Sequence, residues 1–145
     1  MAFTDRAALE ELSILKRQAF GMRAGMILVG AAISIAVLDS MLPVVWGAIT
    51  VTAIFIDSHL CRWAARHEKP VSKSLGAVLF GWTLFVQTMV TIIGAMLWLQ
   101  DTRGSTAAAA IIWCAFVFRN ATESGGRPGF AIASMLPHIT AMIAL

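Results

Sequence analysis

Residues 74–100 carry no charged side chain. As a helix this run would be about 40 Å long at 1.5 Å per residue, enough to cross the hydrocarbon core of a bilayer with tilt or with one end protruding. The rest of the chain agrees. Of 145 residues, 59% are hydrophobic and 13% are charged, and the mean hydropathy is +0.79, far from the averages of soluble domains. The composition is that of a membrane protein. A net charge of +3 could suggest a nucleic-acid partner, but the basic residues flank long apolar runs instead of forming a stripe, so no nucleic-acid role is expected.

The remaining apolar runs divide into spans. Between residues 24 and 56 the one charge is Asp39, and a run of that length exceeds a single crossing of roughly 20 residues, so it should fold back on itself. The turn belongs at residues 38–43, with Pro43 opening the second span, because proline is tolerated in the first turn of a helix. Residues 101–105 form a short polar turn, and the uncharged run 104–118 reaches span length by drawing on its flanks. Residues 119–128 read as a loop from their Gly, Pro and Ser content, and residues 129–145 form a last apolar run. The expected fold is all-α: a polytopic membrane helix bundle of about five spans, near 21–38, 42–60, 74–100, 104–118 and 128–145. An N-terminal amphipathic helix over residues 1–20 precedes it. Thr4 or Asp5 can cap that helix, Leu9, Leu12, Leu15 and Ala19 recur at helical spacing, and Lys16 and Arg17 fall on other faces. It should lie at the membrane surface or extend the first span.

Alternating the sides places ten basic residues on one side and Arg103 alone on the other. That asymmetry is a positive-inside signal, so the N-terminus is expected in the cytoplasm and the last span should end outside. Residues 1–23 mix acids and bases and precede no convincing cleavage site, so the first run reads as a retained anchor and not as a signal peptide.

The densest collection of chemically capable residues is FIDSHLCRWAARHEKPVSK, residues 55–73. A zinc or catalytic site needs ligands converging from one face. On a helix Asp57 and Cys61 are i, i+4 neighbours, whereas His59 lies about 200° away from Asp57. The favoured reading is a helix end running into a cytoplasmic loop. Arg62, Trp63, Arg66, Lys69 and Lys73 would anchor it at the membrane interface, and Asp57 and His59 would be hydrated there. His67-Glu68-Lys69-Pro70 is superficially similar to the phosphoacceptor box of histidine kinases, but the spacing differs and no phosphotransfer role is assigned to it. Cys61 and Cys114 have neither CxxC partners nor disulfide spacing, and read as reduced apolar residues.

Polar groups inside the spans are Thr83, Gln87, Thr88 and Thr91 in the third and His138, after Pro137, in the fifth. Interhelical hydrogen bonds are their default role. Gln87, His138, Asp57 and His59 are the candidates for sensing a signal, because ionisable and amide groups at membrane depth are costly unless they face a bundle interior. Trp46, Trp82, Trp98 and Trp113 lie toward span ends, in the pattern of an aromatic belt. No phosphate loop, dinucleotide glycines, zincin helix or nucleophile elbow occurs, and no catalytic, cofactor or metal residue is assigned.

The loop Arg62-Trp63-Ala64-Ala65-Arg66, the turn at residues 101–105 and the final Met135-Leu136-Pro137-His138 helix together resemble the N-terminal membrane region of bacterial multi-span sensors, hybrid histidine kinases in particular. The resemblance rests on architecture and covers most of the chain. It implies a sensory and anchoring region in the bacterial inner membrane, in contact with the lipid bilayer and paired as a homodimer through helix packing. It also implies a fragment whose kinase activity and last span would reside in a missing C-terminal part. The alternative is a complete small integral membrane protein, a transporter subunit or a holin-like pore. A pore would need a polar stripe along one span, and Thr83, Gln87 and Thr91 supply a partial one.

Overall fold

A computed structural model describes residues 6–67, 72–123 and 128–144. Six helices run in order: α1 (Arg6–Gln18), α2 (Phe20–Leu38), α3 (Leu42–His67), α4 (Lys73–Trp98), α5 (Arg103–Glu123) and α6 (Pro128–Ala144). Among the described residues there is no strand. Short connections return each of α3 to α6 against its predecessor, and α4 sits at the centre, packed on α2, α3, α5 and α6.

Local chemistry explains the boundaries. Asp39 ends α2 in the left-handed conformation, φ 44° and ψ 45°, with its N–H bonded to the Ile35 carbonyl at 3.1 Å. Asp101 takes φ 49° after α4. Aspartate tolerates that region better than most residues do, which accounts for tight turns there without glycine. Ser72 caps α4 by accepting the Leu75 N–H at 3.1 Å. At Ala19 the α-helical bonds run on, from the Ala19 N–H to the Leu15 carbonyl and from the Arg23 N–H to the Ala19 carbonyl, each at 2.9 Å. Thus α1 extends the first apolar helix, and it packs along α3.

Two apolar clusters form the interior. Leu9 and Leu12 of α1 meet Cys61, Ala64 and Ala65 of α3, with Leu79 and Phe130 closing the group. Farther along, Ile27, Trp46, Ile54, Val86, Ile93 and Phe116 join α2 to α5. The outer surface is equally apolar: Leu28 is 61% exposed, Phe118 74% and Ile143 81%. Exposed apolar side chains on α2 through α6, enclosing buried polar ones, suit a lipid surround and not water.

Three helices, α2, α3 and α4, are long and apolar enough to cross a membrane, fewer than the about five crossings anticipated from the sequence. The shortfall has local causes. Helix α5 has 21 residues, but Arg103, Gly104, Ser105 and Thr106 dilute its start and Arg119, Asn120 and Glu123 its end. Helix α6 is apolar but has 17 residues. Helix α5 also runs to Glu123, past the start of the loop read at residues 119–128, because helix-compatible residues fill positions 119–123. The capping roles of Thr4 and Asp5, the segment Glu68-Lys69-Pro70 and the glycines Gly125 and Gly126 lie outside the described residues.

Candidate functional site: a buried polar spine along α4

Thr83, Gln87 and Thr91 are spaced i, i+4, i+8 and therefore share one face of α4, about 12 Å long at 1.5 Å per residue. That face points into the bundle, and all three are buried. Each end of the stripe meets a different set of partners.

At the Thr83 end lies an ionic cluster. Lys16 of α1 and Asp57 of α3 form a salt bridge of 2.6 Å with side chains 1% and 3% exposed, and Arg23 of α2 stands 3.9 Å from the same carboxylate oxygen. The Thr83 hydroxyl reaches Asp57 Oδ1 at 3.4 Å. The Lys16 ammonium also donates to Thr83 Oγ1 and Cys61 Sγ, both at 3.3 Å, and lies 5.5 Å from the centre of the Phe130 ring. Four elements, α1 to α4, thus converge on one carboxylate. Burying a charge inside apolar surroundings is costly unless it is paired and hydrogen-bonded, and this geometry supplies both.

Around Gln87 and Thr91 lies a neutral network. Gln87 Oε1 accepts from Asn120 Nδ2 of α5 at 3.2 Å, and Asn120 also donates to the Ser134 carbonyl of α6 at 2.9 Å. His138 Nε2 stands 3.3 Å from the same Gln87 oxygen, while its Nδ1 stands 2.8 Å from the Thr91 hydroxyl. A neutral ring protonated on Nε2 satisfies the set: it donates to Gln87 Oε1 and accepts at Nδ1 from Thr91. With the Thr91 proton turned instead to the Gln87 backbone carbonyl at 2.8 Å, the hydroxyl oxygen could accept from Nδ1–H, but a neutral ring would then set Nε2 against Gln87 Oε1 as two acceptors, so the form protonated on Nε2 fits the network better. Phe116 stacks on the imidazole at 5.6 Å between centroids, and Trp113 Nε1 donates to the Thr91 carbonyl at 3.1 Å. Gly94 makes that indole placement feasible, because a Cβ there would overlap Trp113 Nε1.

Between the two ends is a small, partly open space of about 10 Å³, lined by Arg23, Gln87, Arg119 and Asn120 with apolar neighbours. It has room for one water. Among the described residues three cations, Lys16, Arg23 and Arg119, and one carboxylate, Asp57, are buried.

The structure brings Asp57, Gln87 and His138 into this spine and leaves His59 outside it. His59 is exposed, with Nδ1 3.0 Å from its own helix's Phe55 carbonyl and its ring on Phe55 at 4.1 Å. Interfacial hydration therefore does not describe Asp57, which is 2% exposed. Of the interface anchors, Trp63, Arg66 and Lys73 are exposed and Arg62 is half-buried, and Lys69 lies outside the described residues. Among the described residues no three metal-binding side chains come together. Trp46 and Trp113 do not belong to a belt: both are buried, and Trp46 Nε1 donates to the Met89 carbonyl at 2.6 Å.

Lys16, Arg23, Arg119 and Asn120 carry the site, yet by sequence Lys16 falls on another face of the N-terminal helix than the leucines, Arg23 and Arg119 count among the basic residues flanking the spans, and Asn120 belongs to the loop at residues 119–128. A signal for two of them exists. Leu9, Leu12, Lys16 and Arg23 follow i, i+3, i+7, i+14, a single helical face, so Lys16 belongs with the leucines and not opposite them. Comparison with family models, curated proteins and solved structures found no match for this chain.

Proposed function

We propose that this chain is the membrane-embedded sensory and anchoring region of a bacterial signal-transduction protein. It would relay a membrane or small-molecule signal to a cytoplasmic module outside these helices. In this reading α5 and α6 also cross the inner membrane, the N-terminus is cytoplasmic, and two copies pair through helix packing. The supporting observation is the docking of α1 onto the bundle through the buried Lys16–Asp57 pair. Helix α1 is continuous in its hydrogen bonding with α2, so its position depends on how α2, α3 and α4 pack. A signal that shifts those helices between two packings would move α1, and with it the cytoplasmic side. The α4 network is the second lever, because one amide oxygen of Gln87 ties α4 to α5 and α6.

A transport pore accounts less well for the same stripe. Thr83, Gln87 and Thr91 are occupied by partners on other helices, and the space beside Gln87 has room for no more than one water.

The test has two parts. Reporter fusions active only in the cytoplasm or only in the periplasm, placed after Leu38, His67, Trp98, Glu123 and Leu145, should alternate and end outside. In the protein that carries the output module, Gln87→Leu and His138→Leu should each alter signalling while leaving insertion intact. Unchanged output in both variants removes the spine as the sensing element.

A further inference from the structure

Where α1 crosses the end of α3, outside the buried spine, the two helices enclose an open pocket of about 250 Å³. One wall is Glu10, Ser13, Ile14 and Arg17, at the i, i+3, i+4, i+7 spacing of a single helix face. The other is Arg62, Ala65 and Arg66, again one face. Three guanidiniums and one carboxylate give this pocket a formal charge of +2. Among the described residues, no ion pair engages Arg17, Arg62 or Arg66. The Ser13 hydroxyl donates to the Glu10 carbonyl at 2.8 Å, which leaves its oxygen as an acceptor beside the arginines.

We propose that this pocket binds the headgroup of an anionic phospholipid. Guanidinium forks match the oxygens of a phosphodiester, and arginines on two facing helices can hold it from both sides. The surroundings select a lipid over a free phosphate. Ile14 in the pocket wall is 51% exposed, and Trp63, next to Arg62, is 49% exposed, as suits side chains at the headgroup and acyl boundary. The Glu10 carboxylate disfavours a multiply charged phosphate and tolerates a singly charged diester, whose glycerol or amine substituent it can accept a bond from. Basic pockets between helices on the cytoplasmic side commonly take anionic headgroups. A bound headgroup would bridge Arg17 of α1 to Arg62 and Arg66 of α3 and so hold α1 where Lys16 reaches Asp57. The inference rests on the bilayer placement of the bundle and not on its sensory role.

The experiment titrates the full chain, in an uncharged detergent, with phosphatidylglycerol or phosphatidylcholine and counts bound lipid by native mass spectrometry. The wild type should bind phosphatidylglycerol in preference. Arg17→Gln, Arg62→Gln and Arg66→Gln should each weaken that binding about fivefold, the equivalent of about 1 kcal/mol per arginine near an anionic surface. Lys73→Gln, which removes an exposed charge outside the pocket, should change it less than twofold. Arg62→Lys and Arg66→Lys keep the charge and lose the fork, so intermediate weakening with wild-type helicity would support a built site even if a glutamine variant misfolds. Equal binding of the two lipids, or equal losses for Lys73→Gln and the pocket variants, would overturn the proposal. So would glycerol phosphate binding in place of lipid with the same arginine dependence. Reporter-fusion and signalling results do not enter this readout, so the pocket and the sensory reading stand or fall separately.

Discussion

Exchanging Lys16 for methionine keeps an unbranched stem in the α1–α3 interface and removes the ammonium. The salt bridge of 2.6 Å is lost, but Asp57 retains Arg23 at 3.9 Å and the Thr83 hydroxyl at 3.4 Å. Breaking one side of a buried pair costs about 3–5 kcal/mol, and this residual company places Lys16→Met near the lower figure. Asp57→Asn removes the carboxylate that faces both cations and belongs near the upper figure. Beside position 57 the double variant leaves one buried cation, Arg23, where Asp57→Asn leaves two. Its cost should therefore fall short of the sum of the single costs by about 2–3 kcal/mol, the coupling energy of the pair. Titration of the purified protein in mixed micelles with sodium dodecyl sulfate, followed by helicity, yields all four stabilities. If Lys16→Met lies within about 0.5 kcal/mol of wild type and the cycle is additive within the same margin, the pair does not hold α1 to the bundle.

Three further outcomes follow from local geometry. Gly94→Ala places a Cβ against the Trp113 indole and should cost about 1–3 kcal/mol, with a shift in tryptophan emission; wild-type emission and stability would show that Trp113 sits elsewhere. Ser72→Ala removes the α4 cap and should cost about 1 kcal/mol in the same titration, whereas Ser72→Asp should be tolerated. Asp39→Gly relieves a left-handed residue and should be neutral or stabilising, while Asp39→Val should cost about 1–2 kcal/mol; equal effects of the two would place Asp39 outside that conformation.

How far the sequence revealed this arrangement varied with the kind of signal. The uncharged run 74–100 and the Asp39 to Pro43 turn depend on composition and local backbone chemistry, and α2 and α4 follow them closely, whereas α3 runs on to His67, so Arg62 to Arg66, read as a loop, are helical and bury Ala64 and Ala65 against α1. Asp57 and Cys61 were legible as one helix face, and they do meet a common partner, Lys16. The sequence does not point to that partner, because a lysine beside a membrane span is ordinarily a topology signal and Lys16 reads as lying on another face than the leucines of the N-terminal helix. Asn120 was hidden by the Gly and Pro residues that follow it, which made a helical residue look like part of a loop. Trp46 and Trp113 were misplaced for a related reason: nearness to a span end in sequence says little about which way an indole faces, and here both N–H groups find backbone carbonyls on α4.

The continuity of α1 with α2 also bears on how the chain is made. In the proposed orientation α2 enters the membrane while much of α3 is still untranslated, and Lys16 and Cys61, now in contact, lie 45 residues apart. During synthesis, Lys16 and Arg23 would therefore act as the cytoplasmic retention charges that orient the first segment. Only once Asp57 emerged would they gain a counterion and move into the interior. One pair of cations would serve two successive tasks, first setting direction at the translocon and later closing the fold. Variants at Asp57 would then yield correctly oriented but unassembled protein, the kind of product that membrane quality-control proteases remove.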